Sequence, residues 1–150
     1  LETDDEEVLK ALKEKVETIA KELENCRLQS AANDVISISR MGNQYLNEKE
    51  PWKLIKKDRE KALSVIYVAA QIVKVLAITS APFMPFAAEE LWKTLNLPGS
   101  VHKQRWDEAL KPLPPKHKIG EAKPLFRKIE VSEKELDELL AKVREKSQKT

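Results

Sequence analysis

A chain of 150 residues can bury a sizeable core, and 35% charged residues with only 3 glycines favour helices over strands and turns. The formal net charge of +2 excludes a protein that attracts polyanions over its whole surface. The charges are unevenly distributed along the chain. Residues 1–25 carry nine acidic residues against four lysines, whereas residues 101–128 carry eight basic residues against three acidic ones. A nucleic acid is therefore expected to avoid the first helix.

Three helical segments are predicted within residues 1–80. The first can be capped by Thr3 or Asp4 and has one apolar stripe at three- and four-residue steps. That stripe comprises Val8, Leu9, Leu12, Val16, Ile19, Ala20 and Leu23. The second helix is predicted from about Cys26 to Leu46, with an inward face of Leu28, Ala31, Ala32, Val35, Ile38, Met41 and either Tyr45 or Leu46. The third, over residues 58–80, is apolar on nearly all sides and is expected at the centre of a helical bundle.

Between the second and third helices, a proline directly precedes a tryptophan. Pro51 fixes its own φ at about −65° and disfavours the α conformation at Glu50, so the second helix must end before Glu50. Trp52 then falls in the first turn of the next segment, where its indole can lie on the surface. The surrounding charges are mostly basic: Lys49, Lys53, Lys56, Lys57, Arg59 and Lys61 against Glu50, Asp58 and Glu60. An exposed aromatic ring among cations suits stacking on an unpaired nucleobase.

The remaining chain predicts one short helix, a long irregular segment and a final helix. Pro85 suits the first position of a helix that carries Phe86, Leu91, Trp92 and Leu95, with Trp92 in the core. Residues 96–128 hold five of the eight prolines and are expected to wrap the bundle, with a short turn near 105–110 and an ambiguous Trp106. Ser132 and Glu135 form a capping box before the apolar positions Leu136, Leu139, Leu140 and Val143. The predicted division is a bundle at 1–128 and a linking helix with its tail at 129–150.

No residue pattern indicates a catalytic or metal site of the chain's own. His102 and His117 lack partners at metal-ligand spacing and are expected on the surface. Cys26 is the single cysteine, which excludes an internal disulfide and favours a reducing compartment, the cytoplasm; we expect it to be a small buried residue. The acidic start does not resemble a signal peptide, and the apolar stretch 62–78 is interrupted by polar residues, so no membrane partner is predicted.

The order of several motifs resembles the anticodon-binding domain of methionyl-tRNA synthetases. The motifs are Asn43-x-Tyr45-Leu46, Glu50-Pro51-Trp52-x-Leu54, basic Lys56-Lys57-Asp58, the double-proline bend at 82–85, Glu89-Glu90-Leu91-Trp92, and residues 119–130. The resemblance covers nearly the whole chain and implies an all-α helical bundle of the class I synthetase type. It also implies that the chain is a piece of a longer, ATP-dependent ligase whose first bundle helix and catalytic H-x-G-H and K-M-S-K-S signatures lie elsewhere.

What the resemblance implies for RNA is specific. In that family the tryptophan matching Trp52 stacks on the first anticodon base, a cytosine, Pro51 sets the corner, and Lys128 matches a basic position near the RNA. From the residues alone, Asn43, Asn47 or the backbone at Pro51 could bond the base edge, and four lysines could hold phosphates. Those lysines are Lys49, Lys53, Lys56 and Lys57. The family's other anticodon readers, an Asn and an Arg, lie on the helix before Leu1. The expected partners are a tRNA and the catalytic part of the parent protein, with no DNA; ATP belongs to that part, and zinc there is left open.

Plainer alternatives exist for each of these residues. Trp52 could be a core anchor, the lysines a solvated face, Tyr45 a packing residue under the turn, and Asn43 a helix-ending residue. At the level of the whole chain, the alternatives are the equivalent module of a class I synthetase for Leu, Ile or Val, or a helical scaffold that binds no RNA.

Overall fold

Helices account for all the regular structure in the described part of the chain. The computed structural model describes residues 2–126 together with Leu136, Glu138 and Leu140. The α-helices there are α1 (Thr3–Glu24), α2 (Leu28–Lys49), α3 (Pro51–Leu54), α4 (Arg59–Ser80) and α5 (Pro85–Thr94), followed by 3₁₀ turns at Val101–Lys103 and Trp106–Leu110. The all-α bundle predicted from the sequence is confirmed, since α4 contacts every other one of these elements.

The first helix presents the predicted apolar stripe to the core. Leu12, Val16 and Ile19 are buried, because their three- and four-residue spacing places them on one side of α1. The cap differs from the prediction. Glu2 precedes the first turn, and its backbone N–H donates to the Asp5 carboxylate over 2.9 Å, so neither Thr3 nor Asp4 holds the capping position.

The second helix is displaced toward the C-terminus relative to the prediction. It begins at Leu28 and continues to Lys49, and the prediction that Leu28 faces inward is wrong, because that side chain is exposed. Cys26 is also exposed and adopts a left-handed φ of 56° in the connection after α1, so the expectation of a small buried cysteine is wrong. From Ala31 onward the predicted inward face is correct, with Val35 and others buried.

The fourth helix forms the centre of the bundle, and α2 lies close to it. A Cβ built on Gly42 of α2 would lie 3.1 Å from Ile72 Cγ2, so the missing side chain permits this close approach. The expectation that α4 is covered on all sides is wrong near its start, where Leu63 and Ile66 are exposed. By length and composition α4 could cross a membrane, contrary to the sequence argument, yet 61% of its most apolar 18 residues are buried in the bundle, as in many core helices.

Polar side chains from α4 hold the irregular segment against the bundle. Lys74 is buried and donates to a Glu108 carboxylate oxygen over 3.0 Å and to the Lys111 carbonyl over 3.1 Å. Gln71 accepts from the Leu113 N–H over 3.0 Å. These bonds satisfy polar groups that would otherwise be costly to bury. The predicted wrapping of this segment around the bundle is therefore correct.

The tryptophans of this half of the molecule have structural positions. Pro85 is the first residue of α5, as predicted, and Trp92 is buried with its indole N–H donating to the Pro98 carbonyl over 3.2 Å. Trp106, which the sequence left ambiguous, is half-buried and donates to the Val16 carbonyl of α1 over 3.3 Å. It pins the irregular segment to the first helix.

Most of the predicted final helix lies outside the described residues. Leu136, Glu138 and Leu140 are helical and exposed, which agrees with a helix at this point of the chain. The capping box at Ser132 and Glu135 falls outside the described part, and the boundary near residue 128 stays a prediction.

Two isoleucines of α2 provide a matched test of the core. Ile38→Ala should lower the free energy of unfolding by about 2–5 kcal/mol, because the side chain is fully buried. Ile36→Ala is the control, since Ile36 lies on the same helix but is 47% exposed. This substitution should change the free energy of unfolding by less than about 0.5 kcal/mol. Urea unfolding followed by circular dichroism measures both. Equal losses would contradict the burial assigned to α2.

Glu108 gives the fold a specific dependence on pH. Hydrogen bonds from Lys111 and then Lys74 lower the pKa of Glu108. A carboxyl whose pKa is lowered in the folded state contributes stability above its unfolded pKa, and this is lost as the pH falls through the folded pKa. Glu108→Gln should therefore cost about 1.5–3 kcal/mol at neutral pH, and the difference from wild type should shrink as the pH falls below about 4. Asp107→Asn alters an exposed ion pair and should have little effect at any pH; a constant deficit for Glu108→Gln would contradict this account.

Candidate nucleic-acid interface

The path of the chain between α2 and α4 is set by Glu50 and Pro51. Glu50 ends α2 in the left-handed conformation, with φ 42° and ψ 58°, and its N–H donates to the Leu46 carbonyl over 2.9 Å. Proline has no N–H to continue the helix and disfavours the right-handed α conformation at the residue before it. Pro51 is then the first residue of α3. At the start of this helix the Lys53 N–H donates to the Glu50 carbonyl over 2.8 Å. We call Glu50, Pro51 and Trp52 the corner.

The single turn of α3 separates a buried side from an exposed one. Pro51 is buried and Leu54 packs on the core three residues later, so both lie on the inner side. Trp52 lies on the other side and is 54% exposed. The sequence predicts an indole that lies on the surface, and the exposure of Trp52 confirms this. Ile55, three residues after Trp52, is also exposed and extends the apolar surface; its spacing from Trp52 was the signal that the sequence analysis overlooked.

Two predicted amides lie on α2 before the corner. Asn43 and Asn47 are exposed and, one helical turn apart, share a side of α2. The helix continues six residues past Asn43, so the alternative that Asn43 ends the helix is wrong. Amide groups can donate to and accept from the edge of a base, which leaves both available for the predicted function.

The predicted lysines differ in how they are engaged. Lys49 is mostly covered, with a side chain 18% exposed, and its Nζ lies 2.8 Å from Asp4 Oδ2. Lys53 bonds Glu50 over 2.6 Å but remains largely exposed. Lys56 and Lys57 are exposed in the connection before α4. Lys128, the remaining residue predicted to lie near RNA, is outside the described part of the chain.

The start of α4 is fixed by a local cap. Asp58 adopts an extended conformation, and its carboxylate accepts from the Lys61 N–H over 3.1 Å, as expected for an N-cap aspartate. The residues from Pro51 to Asp58 thus form one short turn bounded by two helix ends. Trp52, Lys56 and Lys57 lie within a stretch of six residues of this turn, and all three are exposed.

A buried hydrogen bond secures the end of α2 beneath the corner. The Tyr45 hydroxyl donates to Asp5 Oδ1 over 2.7 Å, and both residues are buried. Burial and the neighbouring Asp5 carboxylate raise the pKa of Tyr45, so its hydroxyl stays a donor at neutral pH. The packing role predicted for Tyr45 is confirmed. The role of Asp5 could not be predicted from the sequence, because Asp5 lies 40 residues before Tyr45 and has the position of an ordinary first-turn acid of α1.

The chemistry available at the corner is recognition. A half-exposed indole, an adjoining isoleucine and a short cationic turn can stack on a base and hold phosphates. Among the described residues, no group of three His, Cys, Asp or Glu side chains converges as a metal site. His102 is exposed, whereas His117 is half-buried at the surface and bonds the Leu95 carbonyl.

Removing the Tyr45 hydroxyl tests the support beneath the corner. Tyr45→Phe should lower the free energy of unfolding by about 1.5–3 kcal/mol, because it leaves the buried Asp5 carboxylate without this donor. Tyr67→Phe is the control, since the Tyr67 hydroxyl makes only a 3.4 Å bond to the Leu113 carbonyl and its loss should cost less than about 1 kcal/mol. Chemical denaturation measures both variants, and a smaller loss for Tyr45→Phe than for Tyr67→Phe would contradict this account.

Comparison with known proteins places the sequence in a family. Residues 1–145 match the family model described as the anticodon binding domain of methionyl tRNA ligase. The chain is similar to the methionine–tRNA ligase of Ignicoccus hospitalis, with 42% identity over 97% of this chain and 26% of that protein. It is also similar to the methionine–tRNA ligases of Methanopyrus kandleri, at 38% identity over 95% of the chain and 21% of that protein, and of Pyrobaculum aerophilum, at 41% identity over 95% and 24%. The chain thus spans about a quarter of the length of these curated relatives.

Proposed function

Because the chain belongs to the family of anticodon-binding domains of methionyl tRNA ligases, we propose that it binds the anticodon loop of a tRNA at the corner, within a longer protein that attaches methionine to that tRNA. The observation that carries the proposal is the exposed ring of Trp52 above a buried Pro51. Single-stranded loops offer unstacked bases, and stacking one of them on an aromatic side chain contributes about 1–3 kcal/mol.

Stacking by itself does not identify a base, because every base has an aromatic face. Reading the first base of a CAU anticodon as cytosine requires hydrogen bonds to its edge. The exposed amides of Asn43 and Asn47 and the backbone at Pro51 are the groups of this chain that we assign to that role. Further readers would come from the remainder of the parent protein.

Phosphate contacts would then set the register of the loop. Lys53, Lys56 and Lys57 are exposed next to Trp52 and are the cations that we assign to phosphates. Lys49 is held by Asp4 and would contribute less, and the assignment of Lys128 rests on the family resemblance alone. Binding of this kind weakens steeply as salt rises, whereas a helical scaffold that docks a protein by its apolar surface would not show that dependence.

The reaction itself would take place in the remainder of the parent protein. There ATP would be consumed, and any zinc would be bound, since the described residues of this chain bring no three metal-ligating side chains together. The cytoplasm, where tRNA is charged, is the proposed location. The match to the methionyl family favours a CAU anticodon over those read by the relatives for Leu, Ile and Val.

The replacement of one indole tests this function. Trp52→Ala should weaken binding of a CAU anticodon stem-loop by about 5–150-fold, because the stacking surface is lost while the buried Pro51 is untouched. Titration of the whole chain with labelled stem-loop measures the change. Phe86→Ala is the matched control, since Phe86 is an 87% exposed aromatic residue on α5, and it should leave the affinity unchanged.

The same titration distinguishes the methionine assignment from the alternatives. The fluorescence of Trp52, taken as the difference between wild type and Trp52→Phe, should be quenched by the CAU loop and less by a loop whose first base is changed. Equal quenching by unrelated loops would contradict recognition of CAU. Unchanged affinity in Trp52→Ala would contradict the proposed site.

A further inference from the structure

Four charged side chains form a cluster next to the corner, and they come from three different helices. Glu2 and Asp4 belong to the start of the chain and α1, Lys49 to the end of α2, and Lys61 to the start of α4. Lys49 Nζ lies 2.8 Å from Asp4 Oδ2 and 3.7 Å from Glu2 Oε2. Lys61 Nζ lies 2.7 Å from Glu2 Oε1. We call these four residues the acid–lysine cluster.

The cluster lies beside the corner, where the end of α2 meets the starts of α1 and α4. Lys49 is two residues before Pro51, and Glu2, Lys49 and Lys61 line one hollow of about 440 Å³ together with Leu54 of α3. The same hollow is also lined by the acids Asp5, Glu48 and Glu60, which add to the negative charge around both lysines. Of the cations near Trp52, these are the two that a carboxylate from another helix neutralises, among the residues that the structure describes. Lys56 and Lys57 lie on the exposed turn between the same helices.

The fold has little need of these ion pairs. The side chain of Asp4 is 72% exposed, that of Glu2 51% and that of Lys61 56%, whereas that of Lys49 is 18% exposed. Exposed pairs contribute only about 0–1 kcal/mol to stability. The end of α2 is already held to α1 by the buried bond between Tyr45 and Asp5. Glu2 also precedes and caps the first turn of α1, and Asp4 is an acid of that turn, but neither role requires these carboxylates to contact lysines of α2 and α4.

We propose that Glu2 and Asp4 suppress sequence-independent RNA binding by occupying Lys49 and Lys61, so that affinity at the corner depends on the base stacked on Trp52. This inference rests on the proposed function. A carboxylate offers a lysine the same kind of anionic oxygen as a phosphate does, and an RNA that recruits Lys49 must first displace Asp4. The displaced acids would then repel the phosphates, which penalises RNAs that lack a suitably placed base.

The hydrogen bonds of the cluster also favour the charged forms of its members. The hydrogen bond with Asp4 raises the pKa of Lys49, and the same bond lowers the pKa of Asp4. The hydrogen bond with Glu2 raises the pKa of Lys61. Both lysines stay charged at neutral pH, so they would be available to phosphate as soon as the acids were neutralised.

The test is the binding of oligo-U, an RNA without the cognate loop, to the whole chain carrying Glu2→Gln and Asp4→Asn. Each freed lysine that contacts a phosphate steepens the dependence of log K on log salt by about 0.7 for a single strand. With two such contacts, the ratio of the variant's affinity for oligo-U to that of wild type should rise about sevenfold when salt is lowered from about 200 to about 50 mM. Asp4→Asn by itself removes the partner at 2.8 Å from Lys49 but leaves Glu2 Oε2 at 3.7 Å, so it should give less than half of the change in slope.

Two controls separate this effect from net charge and from stability. Glu90→Gln with Asp107→Asn makes the same change of charge at exposed pairs with Lys93 and Arg105, and it should alter the salt dependence for oligo-U much less. Lys49→Ala should have less than about a twofold effect in wild type and remove about half of the added salt dependence in the acid-free variant.

The outcomes distinguish this inference from the proposed function. Unchanged oligo-U binding in the acid-free variant, or an equal effect of Lys49→Ala in both backgrounds, would show that Glu2 and Asp4 serve only the dipole and cap of α1. A wild-type chain that binds the CAU loop no better than oligo-U would overturn the proposed function, whatever the acid-free variant does. Lower thermal stability with wild-type salt dependence would likewise contradict the inference.

Discussion

The surface at Trp52 depends on one backbone constraint, the left-handed conformation of Glu50 before Pro51. A right-handed Glu50 would clash with the proline ring, and a continuing helix would lack the N–H that Pro51 cannot supply. The chain therefore reverses within a few residues, burying Pro51 and leaving the next side chain outside. Left-handed backbone at a residue other than glycine costs about 1–2 kcal/mol, which the packing of Pro51 and Leu54 against the bundle offsets.

Around that constraint the structure divides its cations into two groups. Lys56 and Lys57 lie on exposed backbone, whereas Lys49 is covered and bonded to an acid of α1. Asp4 of α1 thus reaches a lysine beside the corner, a contact that the charge pattern along the sequence does not indicate. Under the proposal that Glu2 and Asp4 occupy Lys49 and Lys61, electrostatic attraction and stacking would be kept partly separate, as a module that rejects most RNA sequences would require.

The corner could be predicted because its determinants are local: Pro51 ends one helix and the period of the next turn exposes Trp52. Burial of Trp92 and the central position of α4 likewise follow from apolar periodicity. The start of α2 could not be predicted, because a left-handed Cys26 delays the helix by two residues and leaves Leu28 outside. Bonds between residues 40 or 45 apart in sequence, such as Tyr45 with Asp5 and Lys49 with Asp4, depend on how α1 lies against α2, which no local pattern records.

Direct contact between the Trp52 ring and the first anticodon base is the central claim, and NMR of the complex measures it. With a CAU anticodon stem-loop bound, nuclear Overhauser effects should connect the indole ring protons of Trp52 to the H5 and H6 protons of the first base. Those base protons should also shift upfield, because they lie over an aromatic ring. A complex of similar affinity in which the Trp52 resonances are unchanged, and the loop protons contact other residues instead, would contradict the account.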